Sequence, residues 1–384
     1  MNHLVVLGDQ LTDQVGPLRA HLDGSAKFAN PILVLEITGV RHEARHLQAV
    51  VLQIAALRGF AAELQARGIR TEVIQAPTLG EALAAAHERY RLTGITLMDP
   101  AQPQDLEAIQ AWSAASGTPV EVVENQLWLT TVAEWEAFKT GRKELRMEYW
   151  YRRVRSARGW LMEESAGKSE PIGGTWNLDK ENRKRLAPGT DVPAPIYGTV
   201  TPLVQSVIDE VRGESSTLFG ESTTLIWPTT RREALAALNA FCDERLANFG
   251  PYEDAIAADE WALHHSLLSP YMNVGLLHAS EVVDAALKAF ARGGYPVESV
   301  EGFVRQVIGW REYINGMYWF LGDDYRNLNG LGADRDLLPA FTDSTKTKMA
   351  CVSGVVADIE KRAWVHHIPR LMVLSNLALV TGTN

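Results

Sequence analysis

Five short runs rich in Val, Ile and Leu, at residues 4–7, 32–37, 71–74, 95–98 and 120–123, constrain this chain most. Each is apolar nearly throughout, as strands covered on both faces are. Helical patterns lie between them. In 47–67, Leu47, Val50, Val51, Ile54, Leu57, Phe60 and Leu64 form one stripe and Gly68 supplies a stop. Further helices are expected over 79–90 and 104–115. Strand and helix alternating in this way imply a doubly wound parallel sheet, with ligands beyond the carboxyl ends of its strands.

The remainder reads differently. Residues 131–158 look helical and basic. A stretch rich in Gly, Ser and Pro follows from Gly159 to about Pro202, long enough to be an interdomain connection. From Thr229 onward helix signals dominate: a helix capped by Thr229 or Thr230 and ending at Gly250, then 280–291, 300–317, 351–363 and 368–381. The expected organisation is therefore an α/β domain at 1–130, a helical and irregular connector at 131–227, and an all-α domain at 228–384. The closing "LALVTGTN" follows an apolar helix directly and reads as an ending short of a complete domain.

The 384 residues carry a net charge of -10, which argues mildly against nucleic acid. Between Lys139 and Arg185, however, thirteen Lys and Arg residues gather with few acids among them. They read either as a phosphate-binding patch or as a solvated helix face with i,i+4 partners. Cys242 and Cys351 make neither a disulfide framework nor a complete metal site. No apolar run approaches the ~20 residues of a membrane helix, and the N-terminus lacks the parts of a signal peptide. The cytoplasm and no membrane partner are expected.

Four segments carry candidate chemistry. Gly8, Asp9 and Gln10 follow the first strand, where backbone N–H groups face a ligand, and Glu36 ends the second. "NFGPYEDA" is followed by "HHSLLSPYMNVG": Tyr252, His265, Ser266, Leu268 and Ser269 suit a phosphate-bearing ligand. "RQVIGWREYINGMYW" joins Gln306, Trp310 and Arg311, a combination suited to stacking on a base and hydrogen bonding to it. "WVHHIPRLM" holds His366 and His367 beside Arg370, a poor metal pair but a possible proton donor with its orienting partner.

Taken in order, "LGDQL", "RKELRMEYWYRRVR", "GGTWNLDKENR", "FGPYEDA", "LLSPYMNVGLLH", "IGWREYINGMYW", "TKMAC" and "HHIPRLMVL" resemble the photolyase/cryptochrome family. They are most similar to its bacterial branch, whose members carry an iron–sulfur cluster and repair (6-4) photoproducts. The resemblance spans the chain. It implies an antenna domain followed by a helical domain holding FAD, and light-driven repair by electron transfer from reduced FAD. Tyr252, His265, Ser266, Leu268, Ser269, Arg311 and Arg370 would hold FAD. Gly8, Asp9, Gln10 and Glu36 would hold a 6,7-dimethyl-8-ribityllumazine antenna. Gln306, Trp310 and Arg183 would contact the lesion, and His366 and His367 would be catalytic.

Cys351 would be the first ligand of a [4Fe-4S] cluster whose other ligands, together with a segment gripping the flavin ring, would lie beyond the last residue. The stretch before Cys351 lacks the Trp of the family's electron relay, leaving Trp319 and Trp364 as candidates. UV-damaged DNA is the expected partner and a monomer the expected state. Two other classes stay open: a cryptochrome-like photoreceptor without repair activity, and a nucleotide-binding module without photochemistry.

Overall fold

The computed structural model describes residues 1–165, 167–214, 217–220, 225–258 and 260–384. By contact they form two compact units: Met1–Leu127 with Ile196–Leu235 and Leu268–His278, and Trp128–Pro195 with Ala236–Leu267 and Ala279–Asn384. The consecutive division at 130 and 227 stands as a proposal beside this grouping.

The first unit is the doubly wound sheet. Its strands are β1 (His3–Val6), β2 (Ala29–Ile37), β3 (Thr71–Ala76), β4 (Ile95–Met98) and β5 (Val120–Val123). The order is β3-β2-β1-β4-β5, with every neighbouring pair parallel. Chain direction across the sheet reverses between β1 and β4, which makes the crevice beyond those two strands the switch point. The helices are α1 (Gly16–Leu22), α2 (Leu47–Ala66), α3 (Leu79–Tyr90) and α4 (Pro103–Ser116). Thr78 starts α3 with a capping box to Glu81. Leu33, Leu35, Leu83, Leu97, Ile109 and Trp112 pack in one buried cluster of this unit.

One expectation is corrected here. At 20 residues, α2 is long and apolar enough to cross a membrane. It packs instead within the sheet unit, with Val50, Val51, Ile54, Leu57 and Leu64 buried. It also packs against helix Pro202–Glu214, which the connector contributes to this unit, and Arg58 pairs there with Glu210.

The second unit is mainly helical. Helices Val132–Lys139, Met147–Arg158, Ala279–Ala291, Val297–Val304, Glu312–Leu321 and Ala350–Arg362 form most of it. An antiparallel hairpin, Met162–Ser165 with Lys168–Pro171, lies where the sequence suggested irregular chain. Trp150, Tyr151 and Phe138 are fully buried, and Trp135 meets Trp150 edge-on with centroids 5.1 Å apart. Truncating such an aromatic costs about 3–5 kcal/mol.

π-helical turns occur at Phe241–Arg245, Arg305–Arg311 and Pro369–Ser375. A π turn widens the helix by one residue and often marks a functional position. Two of the three coincide with segments singled out in the sequence.

Candidate functional site

The second unit gathers its polar groups around one turn. The helix ending at Phe249 stops where Gly250 packs against helix Val297–Val304: a Cβ on Gly250 would meet the Ser299 Cα at 2.7 Å. Pro251 follows, and Glu253 N–H donates to the Gly250 carbonyl at 3.1 Å. The fold therefore presents three consecutive side chains, Tyr252, Glu253 and Asp254, and each takes a different partner.

Tyr252 stacks on His264 at 5.4 Å. Glu253, 4% exposed, accepts from Gln306 Nε2 at 2.5 Å. Asp254 lies 3.4 Å from His367 Nε2 and 3.9 Å from Arg183 Nε. Behind them the buried Arg305 faces Glu301 at 3.2 Å, Asp179 at 3.3 Å and Glu253 at 4.0 Å. Arg305 thus serves three carboxylates, of which Asp179 also pairs with Arg183. Burial, with the repulsion of Asp254, Asp179 and Glu301, outweighs the Arg305 charge and pushes Glu253 up to about 8.

The imidazoles form a second layer. His265 and His366 stack at 4.2 Å, and His367 meets both edge-on at 6.1 and 6.0 Å. Burial drives His366 down to about 3, helped by His367 and Arg370. His265 is lowered as well, first by burial and then by the neighbouring histidines. For His367 burial also lowers the pKa, but Asp254 opposes it. Among the described residues, His264 Nδ1 and Nε2, His265 Nε2, His366 Nδ1 and Glu253 Oε2 are buried without a hydrogen-bond partner. Buried polar atoms are normally paired, so an array of open ones points to a ligand.

The backbone beneath them is constrained. Leu263 and Leu267 both hold positive φ, 43° and 57°, a conformation that is costly for leucine and collects at functional sites. Arg245 fixes the loop by donating to the carbonyls of Leu263 (2.9 Å) and His265 (3.3 Å).

The structure thus brings together Tyr252, His265, Gln306, His366, His367 and Arg183. Other candidates have different surroundings. Trp310 is 43% exposed and meets Tyr313 edge-on. The Arg311 guanidinium sits 3.8 Å over the Trp128 ring and pairs with Glu312 at 2.6 Å. Arg370 is exposed and Ser266 half-buried. Leu268 is buried and Ser269 exposed at the start of helix Ser269–Asn273; both belong to the first unit.

In that first unit, Gln10 lies at the switch point, its Nε2 donating to the carbonyls of Met98 (3.2 Å) and Asp99 (3.0 Å). It ties the ends of β1 and β4 together. Glu36 is closed off by Arg41 (2.9 Å) and Arg58 (2.7 Å), both of which also pair with Glu210. Burial raises Asp9 to about 6. Gly8 lies against Gln53 and Leu57.

Glu253, Asp254, Arg305, Asp179 and Glu301 were not singled out from the sequence. The adjacent acids after Gly-Pro, inside a quoted motif, were the available signal. Cys242 is buried and Cys351 exposed. These two do not supply the four thiolates of a [4Fe-4S] cluster, and no group of three metal-ligating side chains occurs among the described residues.

The basic series is thinner than its sequence. Arg155 is fully buried, holding the carbonyls of Leu161 and Trp176. Lys139, Arg152 and Arg183 pair within one helical turn.

The profile of a family described as deoxyribodipyrimidine photo-lyase-related protein matches residues 4–227. A (6-4) photolyase of Agrobacterium fabrum is 36% identical over 391 residues, an alignment covering 100% of this chain and 75% of that protein. A bacterial class III photolyase from Agrobacterium tumefaciens has a similar fold, with TM-score 0.62 and 15% identity over 100% of this chain and 74% of that one. A cryptochrome from Synechocystis aligns with TM-score 0.69 and 13% identity, over 100% of this chain and 76% of its own.

Proposed function

We propose, given that this chain belongs to the deoxyribodipyrimidine photo-lyase-related family within the photolyase/cryptochrome group, that it is a light-dependent DNA repair lyase acting on (6-4) photoproducts. The observation that carries this reading is the imidazole layer of His265, His366 and His367, with open buried nitrogens, beside a turn that also holds Gln306.

The polar groups present fit a bound flavin: Tyr252, His265, Ser266, Arg311 and Arg370 would hold FAD. When bound, the flavin supplies a photoexcited electron for splitting the dimer. The protein supplies position and a proton. His366, held neutral by burial, orients its neighbour. His367 turns Nε2 to Asp254, so Nδ1 carries a proton for the lesion only when the ring is imidazolium, the form that Asp254 favours against burial. Gln306 and Trp310 would contact the flipped nucleotide, and Arg183 its backbone. The exposed members of the basic series, among them Arg142, Lys143 and Arg146, would grip phosphates.

A ribityllumazine antenna in the first unit would rest on the Gly8 backbone and the Asp9 carboxyl, since Gln10 and Glu36 are committed elsewhere. The monomeric state and cytoplasmic location belong to the same proposal.

The test is blue-light turnover of duplexes carrying a (6-4) lesion or a cyclobutane dimer by reduced, flavin-loaded protein. Repair of the (6-4) lesion is expected. Light-induced conformational change without turnover of either lesion would overturn the proposal in favour of a cryptochrome-like receptor.

A further inference from the structure

The proposed lesion contact Gln306 has a partner that decides how its amide is presented. We propose that Glu253 is a positioning residue: it holds the Gln306 nitrogen inward, so that the amide oxygen is the acceptor offered to a bound base. This deepens the proposed function and rests on its reading of Gln306 as a lesion contact.

Three observations carry it. Glu253 Oε1 accepts from Gln306 Nε2 at 2.5 Å, a bond across 53 residues of chain. Glu253 cannot swing away, because it is 4% exposed and its second oxygen lies against Gly302, where an added Cβ would meet it at 3.4 Å. Gln306 is on the π-helical turn Arg305–Arg311 and is half-buried, so its amide has one inward and one outward end. A free glutamine amide can flip, exchanging donor for acceptor at its outward end. A buried acceptor on one side removes that freedom, and a base offering an N–H donor then meets an oxygen.

The experiment measures dark binding of the full chain to a duplex with a single (6-4) lesion and to the same duplex undamaged. Glu253→Met keeps the volume and removes the acceptor, while Arg305 keeps Glu301 and Asp179 as partners. It should lower preference for the lesion about tenfold, the effect of losing one well-made hydrogen bond, with binding to undamaged DNA unchanged. Glu253→Gln keeps a hydrogen bond but no longer fixes its sense, so it should recover the preference only in part. In a Gln306→Ala background Glu253→Met should have no further effect, since coupled residues are not additive. Should the methionine variant not fold, Glu253→Ala replaces it.

Equal losses of lesion and undamaged binding, or a full additional loss in the Gln306→Ala background, would overturn the proposal. The underlying reading fails separately. With glutamine selectively labelled with nitrogen-15, Glu253→Met should shift the Gln306 side-chain resonances. Unmoved resonances overturn the positioning role. Moved resonances with unchanged lesion preference overturn the placing of Gln306 at the lesion.

Discussion

Two buried charge clusters, one in each unit, look alike by composition and differ in closure. In the sheet unit Glu36 and Glu210 face Arg41 and Arg58, two acids against two guanidinium groups at 2.6–2.9 Å. In the helical unit Arg305 faces Glu301, Asp179 and Glu253, and the imidazoles beyond keep open nitrogens. The first cluster matches its charges and serves to join β2, α2 and the helix Pro202–Glu214. An open cluster carries a standing cost that a bound molecule can relieve. Burial of charge alone therefore does not mark a site; an imbalance of partners does.

That contrast can be broken by substitution. Glu36→Ala leaves Arg41 and Arg58 sharing Glu210 and should cost about 3 kcal/mol in urea unfolding, with lesion binding unchanged under conditions where the protein is folded. A loss below about 1 kcal/mol would mean the cluster is not closed. Next in size, Gly250→Ala should cost about 1–3 kcal/mol, because the new methyl overlaps the backbone at Ser299.

The open cluster should also show in pH dependence. Glu253, raised to about 8, binds its proton more tightly in the folded state. Its contribution is therefore complete below about 4.5, its ordinary value, and is lost as pH rises through about 8. Glu253→Gln should flatten that alkaline decline in thermal unfolding scans. His366 acts oppositely: its contribution is present above 6.5 and is lost as pH falls through about 3. The smallest effect concerns the exposed basic residues. Arg142→Ala should reduce the slope of log K against log salt by about 0.9, while buried Arg155 contributes no phosphate contact.

Much of this was legible in the sequence, for reasons that differ by region. Strands β1, β2 and β4 announced themselves because they are apolar on both faces, the edge strands β3 and β5 by their Val and Ile content beside exposed polar positions, and α3 because its cap and period agree. The hairpin Met162–Ser165 with Lys168–Pro171 was not legible: its strands are polar, mostly exposed and too short for alternation to register. His265, His366 and His367 were legible as residues, but their stacking was not, since a contact across about 100 positions leaves no periodic trace. The role of Glu253 was hidden because a charged residue in a Gly-Pro turn normally faces water. Arg155 erred the other way: it looked like a phosphate ligand and became a core brace.

The most direct test is blue-light repair of a (6-4) duplex by reduced, flavin-loaded wild type and His367→Ala side by side. Turnover by the wild type with a fall of about 10²–10⁴ in the variant is expected if His367 delivers the proton. Equal rates in the two proteins, or no light-dependent turnover by the wild type, would contradict the site proposed for the helical unit.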